Sequence, residues 1–161
     1  MKKYLMMGLS LIFLCAITAR TAEINYNEVG VGLGIPYGGI GVNYEFSPVD
    51  RFSLDAGAGW TPGGFGWSVG PRVYFADQSK SFRPRISASY GTVAIIKPQF
   101  GDWKTDTGCC VGPGFQWVFG QKKNWSLDFD VLYVFYNLPR NYRQEWGTDH
   151  VKVSIGFGYH F

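Results

Sequence analysis

The chain ends Val151-Lys152-Val153-Ser154-Ile155-Gly156-Phe157-Gly158-Tyr159-His160-Phe161, and its alternation is unbroken. Val151, Val153, Ile155, Phe157, Tyr159 and Phe161 share one parity. Lys152, Ser154, Gly156, Gly158 and His160 share the other. Successive strand side chains point to opposite faces, so this segment predicts a strand with one apolar and one polar face. The same period runs backwards through the chain. Trp125, Leu127, Phe129, Val131, Tyr133 and Phe135 oppose Ser126, Asp128 and Asp130. Val111, Pro113, Phe115, Trp117 and Phe119 oppose Gly112, Gly114 and Gln116. Ile86, Ala88, Tyr90 and Thr92 oppose Arg85, Ser87, Ser89 and Gly91. Further back, Trp67 to Phe75, Phe52 to Trp60, Ile40 to Phe46 and Val29 to Ile35 repeat the pattern, with Arg72, Asp55, Glu45 and Glu28 on the polar faces. The reading is eight strands, an even number, with no helical pattern of ten residues left over.

Composition agrees. Aromatic residues make up 18% of the 161, far above what a solvated chain without a core carries. The 22 glycines and 8 prolines argue against a helical bundle. A basic nucleic-acid binder is excluded as well. The net charge of +3 comes from Lys2, Lys3 and Arg20; without them basic and acidic residues balance at 12 each.

Those three cations belong to a targeting segment. Lys2 and Lys3 form a positive start, Leu5 to Ile17 an apolar stretch, and Thr18-Ala19-Arg20-Thr21-Ala22 a small-residue end. This layout predicts a secretory signal peptide over residues 1–22, cut near Ala22, followed by one domain over 23–161. The apolar run is shorter than the ~20 residues of a spanning helix. Lipidation at Cys15 is disfavoured, because Leu14 is too large for the position before a lipidated cysteine.

The solvent of each face follows from the charges. No side chain on the eight apolar faces is charged, although 17% of the chain is. The opposite faces carry Glu28, Glu45, Asp55, Arg72, Arg85, Asp128, Asp130 and Lys152. A dry core of those residues would hold unpaired ions. Lipid outside and a polar, hydrogen-bonded interior satisfies both faces, and closing the sheet leaves no strand edge in hydrocarbon. A secreted sandwich would alternate too, but it has no reason to gather glycine on its polar face. Phe46, Phe52, Phe75, Phe119, Trp125, Tyr159 and Phe161 cluster by the short turns or the C-terminus, and Trp60, Trp67 and Phe135 at the other ends, as two interfacial girdles would. Connections alternate in length. Ser47–Arg51, Ala76–Arg83 and Gly120–Asn124 are tight. Lys97–Gly108 and Asn137–His150 are long, and those around Pro36-Tyr37 and Thr61–Gly64 are short and rich in Gly and Pro. Pro71 and Pro113 each follow a glycine in mid-strand, where a proline removes a ladder bond, so bulges are expected there.

The terminal Val153-x-Ile155-x-Phe157-x-Tyr159-x-Phe161 resembles the assembly signal of Gram-negative outer-membrane proteins. The whole of 23–161 resembles a small eight-stranded barrel of the OmpA/OmpX general type. That resemblance implies a closed, antiparallel, up-and-down transmembrane β-barrel. It also implies residence in the outer membrane, contact with outer-membrane lipid and lipopolysaccharide, and handling by the barrel assembly machinery.

Candidate chemistry is sparse. Asp149-His150 with Ser154 could suggest a hydrolytic triad, as in barrel enzymes that deacylate lipid A. Those resemble one another in a His two residues before an outward Ser, whereas here the spacing is four and Ser154 faces inward. Cys109 and Cys110 point to opposite faces and cannot jointly chelate a metal well; free thiols and a vicinal disulfide stay open. No cofactor is implied. An eight-stranded interior is just filled by side chains, so the lumen charges predict a salt-bridged plug, softened by the glycines, which would leave space for water. The expected role is structural or surface-interacting rather than catalytic, with a small pore as alternative and a lipid-modifying enzyme third. Partner contact would fall to the long loops, through Lys97, Phe100, Trp103 and Lys104 and through Arg140, Tyr142, Arg143 and Trp146.

The terminal motif generates a direct test. Deleting Phe161 should leave a chain that fails to assemble and is degraded in the periplasm; immunoblots of outer-membrane fractions should show its level falling well below that of the full chain.

Overall fold

The computed structural model describes residues 27–96, 103–135 and 150–161. The predicted signal peptide, and the loop residues Lys97, Phe100, Arg140, Tyr142, Arg143 and Trp146, lie outside them. Eight antiparallel strands close into one barrel in sequence order. They are β1 (Glu28–Gly34), β2 (Gly39–Val49), β3 (Phe52–Thr61), β4 (Gly64–Tyr74), β5 (Phe82–Ile96), β6 (Lys104–Phe119), β7 (Trp125–Phe135) and β8 (Val151–His160). The seam is β1 on β8, with Val29 opposite Tyr159, Val31 opposite Phe157 and Leu33 opposite Ile155. Just past it the Phe161 amide donates to the Asn27 carbonyl at 3.0 Å.

The barrel is inside out relative to a water-soluble one. Ile40, Trp60 and Val153 are 70%, 67% and 60% exposed, while Arg72 and Arg85 are 1% exposed. Outward aromatics lock across neighbouring strands near the short turns. Trp125 stacks on Phe157 at 5.2 Å and meets Tyr159 edge-on at 5.0 Å. Such cross-strand pairs each contribute roughly 0.2–1 kcal/mol, so the apolar positions of the terminal motif also stitch β8 to β7. Among the described residues no helix is long and apolar enough to cross a membrane.

Four expectations are corrected. Ile35 does not extend the outward face of β1. Gly34 takes φ 117°, a conformation open to glycine, and turns the chain inward into a 3-10 turn over Ile35–Tyr37, all three residues buried. The prolines do not bulge. Pro71 stays in register opposite Leu54, and Pro113 opposite Ile86. Each instead interrupts the ladder on its other side, which skips from Val69 to Arg72 against β5 and from Val111 to Gly114 against β7 with no shift. The register shifts fall between Phe46 and Val49 and between Thr92 and Ala94. The second lies beside Thr92, which is buried rather than outward; its hydroxyl accepts the Trp67 amide at 3.2 Å, just beyond the Ser68–Gly91 end of that ladder. Finally, the connection expected from Lys97 to Gly108 is shorter, because β6 begins at Lys104 and pairs with β5 as far as Ile96. Above the bilayer both faces meet water, so the stretch Lys104–Thr107 carries no apolar alternation to announce a strand.

The inside-out arrangement predicts the outcome of one substitution. Val131→Arg, on the apolar face midway along β7, should cost about 2–4 kcal/mol, the scale for arginine at the bilayer midplane; reversible unfolding from lipid vesicles measures it.

Candidate functional site: the barrel interior

The interior has two layers. Towards the short turns, polar side chains from β1 to β7 join in one bonded chain, with His160 of β8 beside it. Arg72 (β4) pairs with Glu45 (β2) and, at 3.1 Å, with Asp55 (β3), which also accepts from Asn43 at 2.8 Å. Glu45 accepts the Tyr74 hydroxyl at 2.6 Å, and that hydroxyl in turn accepts Arg85 Nη1 at 3.1 Å. Arg85 (β5) pairs with Asp128 and grips Asp130 (both β7) through Nε at 3.0 Å and Nη2 at 2.8 Å. Ser87 donates to Asp130 at 3.0 Å. Gln116 (β6) reaches across the lumen to Glu28 (β1) at 2.6 Å and also approaches Asp128 at 3.5 Å. His160 (β8) stands 3.0 Å from Glu28.

The geometry follows from the alternation. Residues opposite one another on antiparallel strands share a face, so Glu45 faces Asp55 across one ladder and Asp128 faces Gly156 across another. Each long arginine then reaches past the neighbouring strand, Arg72 to Glu45 on β2 and Arg85 to Asp128 and Asp130 on β7, while Arg72 also holds Asp55 on the adjacent β3. Among the described residues five buried carboxylates share the interior with three buried guanidiniums; Arg72 and Arg85 pair with carboxylates, and Arg83 bonds an amide oxygen and a backbone carbonyl. Charge-assisted hydrogen bonds of this sort are about twice as strong as neutral ones, and a buried charge survives only when so paired.

Arg83 is a member that the sequence did not reveal, since it reads as part of a turn. Its guanidinium lies 3.9 Å above the Tyr74 ring, donates to Gln116 at 2.8 Å and reaches the Asp50 carbonyl at 3.2 Å. Lys152 takes the opposite course. It was expected among the lumen charges, but it is half-buried at the far end of the barrel, lining a cavity of about 220 Å³ with Ile35, Thr92, Val93 and Ala94. It sits across from Leu132, beyond the Asp130–Ser154 rung, and so out of the arginine–carboxylate layer.

That far layer is apolar. Ile35, Val93, Ala94, Cys110, Leu132 and Val134 form a buried cluster. The signal was present in the uninterrupted run Val131-Leu132-Tyr133-Val134-Phe135, since a strand buried on one face and in lipid on the other has no polar parity. Between the layers stands Tyr37, 1% exposed. A side chain at Gly32 or Gly156 would collide with its ring, and side chains at Gly41, Gly57 and Gly59 with the carbonyls of Tyr37 or Pro36. Gly32, Gly41, Gly57, Gly59 and Gly156 therefore make room for the Ile35–Tyr37 turn.

The other candidates are separated by the fold. Ser154 donates to the Leu33 carbonyl at 3.0 Å, while His150 Nδ1 lies 3.0 Å from the Val134 carbonyl and its ring stacks on Tyr133. Asp149 lies outside the described residues. Cys109 and Cys110 are both free thiols, one exposed and one buried.

The barrel is similar to the N-terminal β-barrel domain of OprF from Pseudomonas aeruginosa, with TM-score 0.59 at 17% identity over 85% of this chain and 98% of that domain. Ail, the attachment invasion locus protein of Yersinia pestis, solved with the heparin analogue sucrose octasulfate, overlaps at TM-score 0.38 and 13% identity over 86% of this chain and 100% of that one. No family model and no curated protein sequence matches the chain. The OprF likeness shows the fold, a closed eight-stranded antiparallel β-barrel.

The network makes a stability prediction. Arg85→Met strands Asp128 and Asp130 without their cation and should cost about 3–5 kcal/mol, the range for breaking one side of a buried ion pair. Adding Asp128→Asn and Asp130→Asn should recover most of that loss, as read from urea unfolding of the vesicle-inserted barrel.

Proposed function

We propose that the chain is an integral outer-membrane barrel with a sealed interior, which serves as a membrane-embedded structural or surface-interacting body and neither conducts nor catalyses. The observation that carries this reading is the double closure of the lumen. Arg72, Arg85, Glu28 and Gln116 cross it on one level, and Tyr37 fills the next. Eight strands leave an interior that side chains can fill, and here the bonded side chains come from β1 to β7. The absence of catalysis is supported by Ser154 and His150 each engaging a different backbone carbonyl.

Surface contact would fall to the ends of the long hairpins, where Trp103 and Lys104 stand at the start of β6. Aromatic and cationic side chains anchor interfaces between macromolecules, and the same types settle among lipid headgroups. Outer-membrane lipid and lipopolysaccharide are the partners this reading names first, with the barrel assembly machinery during biogenesis.

In a planar bilayer the purified barrel should give no stepwise conductance. Steps of one reproducible size would overturn the sealed lumen in favour of a small pore. Lipid A extracted from cells with and without the protein should have the same mass spectrum. Topology has its own test: an epitope tag between Asp102 and Trp103 should bind antibody on intact cells, whereas a tag at Lys122, in a short turn, should require permeabilised membranes.

A further inference from the structure

The mouth ringed by the short turns carries a feature that neither the seal nor the membrane contacts require. A cavity of about 100 Å³ opens there, lined by Gln78, Arg83, Lys122, Lys123 and His160 among others, and no carboxylate lines it. Two of its donors are deeply buried and unsatisfied among the described residues. Arg83 is 3% exposed and spends both terminal nitrogens on Gln116 and Asp50, leaving Nε–H without a partner. Gln78 is 9% exposed, and its side-chain amide nitrogen has no acceptor. A buried donor without an acceptor is costly, and two of them beside one cavity call for an acceptor within it.

Lys123 is held in place rather than merely present. Lys123 has φ 53°, unusual for a residue with a side chain, and its Nζ donates to the Ser79 carbonyl at 2.5 Å across the mouth. Lys122 lines the same cavity from the same turn. The nearby carboxylates are committed elsewhere. Asp50 accepts the Gln78 backbone amide at 2.7 Å. Asp77 accepts two hydrogen bonds from Arg51, at 2.8 and 2.6 Å, which hold its carboxyl below the ordinary range. Glu28 lies behind His160.

We infer that this mouth is a binding site for a phosphate group, received by Arg83 Nε, the Gln78 amide and the ammonium groups of Lys122 and Lys123. Every one of these groups donates, and they converge from the β4–β5 turn, from β5 and from the β6–β7 turn. That arrangement suits a compact anion with several acceptor oxygens, and charge-assisted bonds to phosphate are the strong kind. The phosphate could arrive dissolved or on a lipid headgroup of the adjoining leaflet. The site stands whether or not the barrel conducts.

The test uses the full barrel in phosphatidylcholine vesicles at constant ionic strength, titrated with inorganic phosphate. The Gln78 side-chain amide and Arg83 Nε–H resonances should shift saturably. Gln78→Glu, which places a carboxylate among the donors, should weaken binding at least tenfold, and Lys122→Gln with Lys123→Gln should weaken it severalfold. Both changes lie in turns, outside the bonded interior. Vesicles containing phosphatidic acid should move the same resonances without added phosphate if a headgroup reaches the site; if only dissolved phosphate moves them, the source is soluble and the site still stands. Resonances that move with neither probe would overturn the inference, as would variants that titrate like the parent.

Discussion

Arg85 holding Asp128 and Asp130, and Arg72 holding Glu45 and Asp55, form the constraint on which the remaining structure depends. Charges of this density can be buried only where each finds partners, and apart from Asp55, on the β3 strand beside Arg72's own, the partners sit on strands that are not neighbours. The sheet must therefore curl until β4 looks at β2 and β5 looks at β7. Once the polar parity of every strand is committed inward, the apolar parity has nowhere to go but outward. A closed ladder then leaves no unpaired backbone at the surface, which is the condition for standing in hydrocarbon.

Closure also explains how the interior is divided. The arginine layer lies towards the short turns, where Gly114, the ladder partner of Asp130, leaves space for that carboxylate. Beyond it the glycines of β1 to β3 and β8 stop being spacers for charge and become the bed of the Ile35–Tyr37 turn. The turn is possible because Gly34 and Gly38 take positive φ on either side of it. One hairpin connection, read as a surface turn, thus folds back as a second stopper. The apolar cluster of Leu132, Val134 and Val93 closes over that level.

The barrel was legible in the sequence because lipid and a charged lumen are opposite solvents, so every strand between them carries an unbroken parity. β8 is the plainest case. Legibility failed where the two faces cease to differ. From Lys104 to Thr107 neither face of β6 is buried, so the start of β6 reads as loop. Inside the apolar layer, Leu132 and Val134 have no polar contrast with Tyr133 and Phe135. Ile35 followed the outward parity by one residue too many, because only the backbone at Gly34 shows the turn inward. In the network, seven of the eight expected charges lie buried in the arginine layer, and Lys152 does not, since parity gives the face of a residue but not its depth. Arg83 was missed for the converse reason: it stands one rung beyond the expected end of its strand, and the Tyr74 ring that receives it is brought there by closure.

The most direct test of the inside-out reading is site-directed spin labelling along β8 in lipid vesicles, with Cys109 and Cys110 replaced. Labels at Val153, Ile155 and Phe157 should collide readily with dissolved oxygen and poorly with a water-soluble nickel chelate, while a label at Ser154 should be shielded from both. An alternation of the opposite phase, with the nickel chelate reaching Val153 and Ile155 more readily than oxygen does, would contradict a lipid-facing apolar surface wrapped around a charged core.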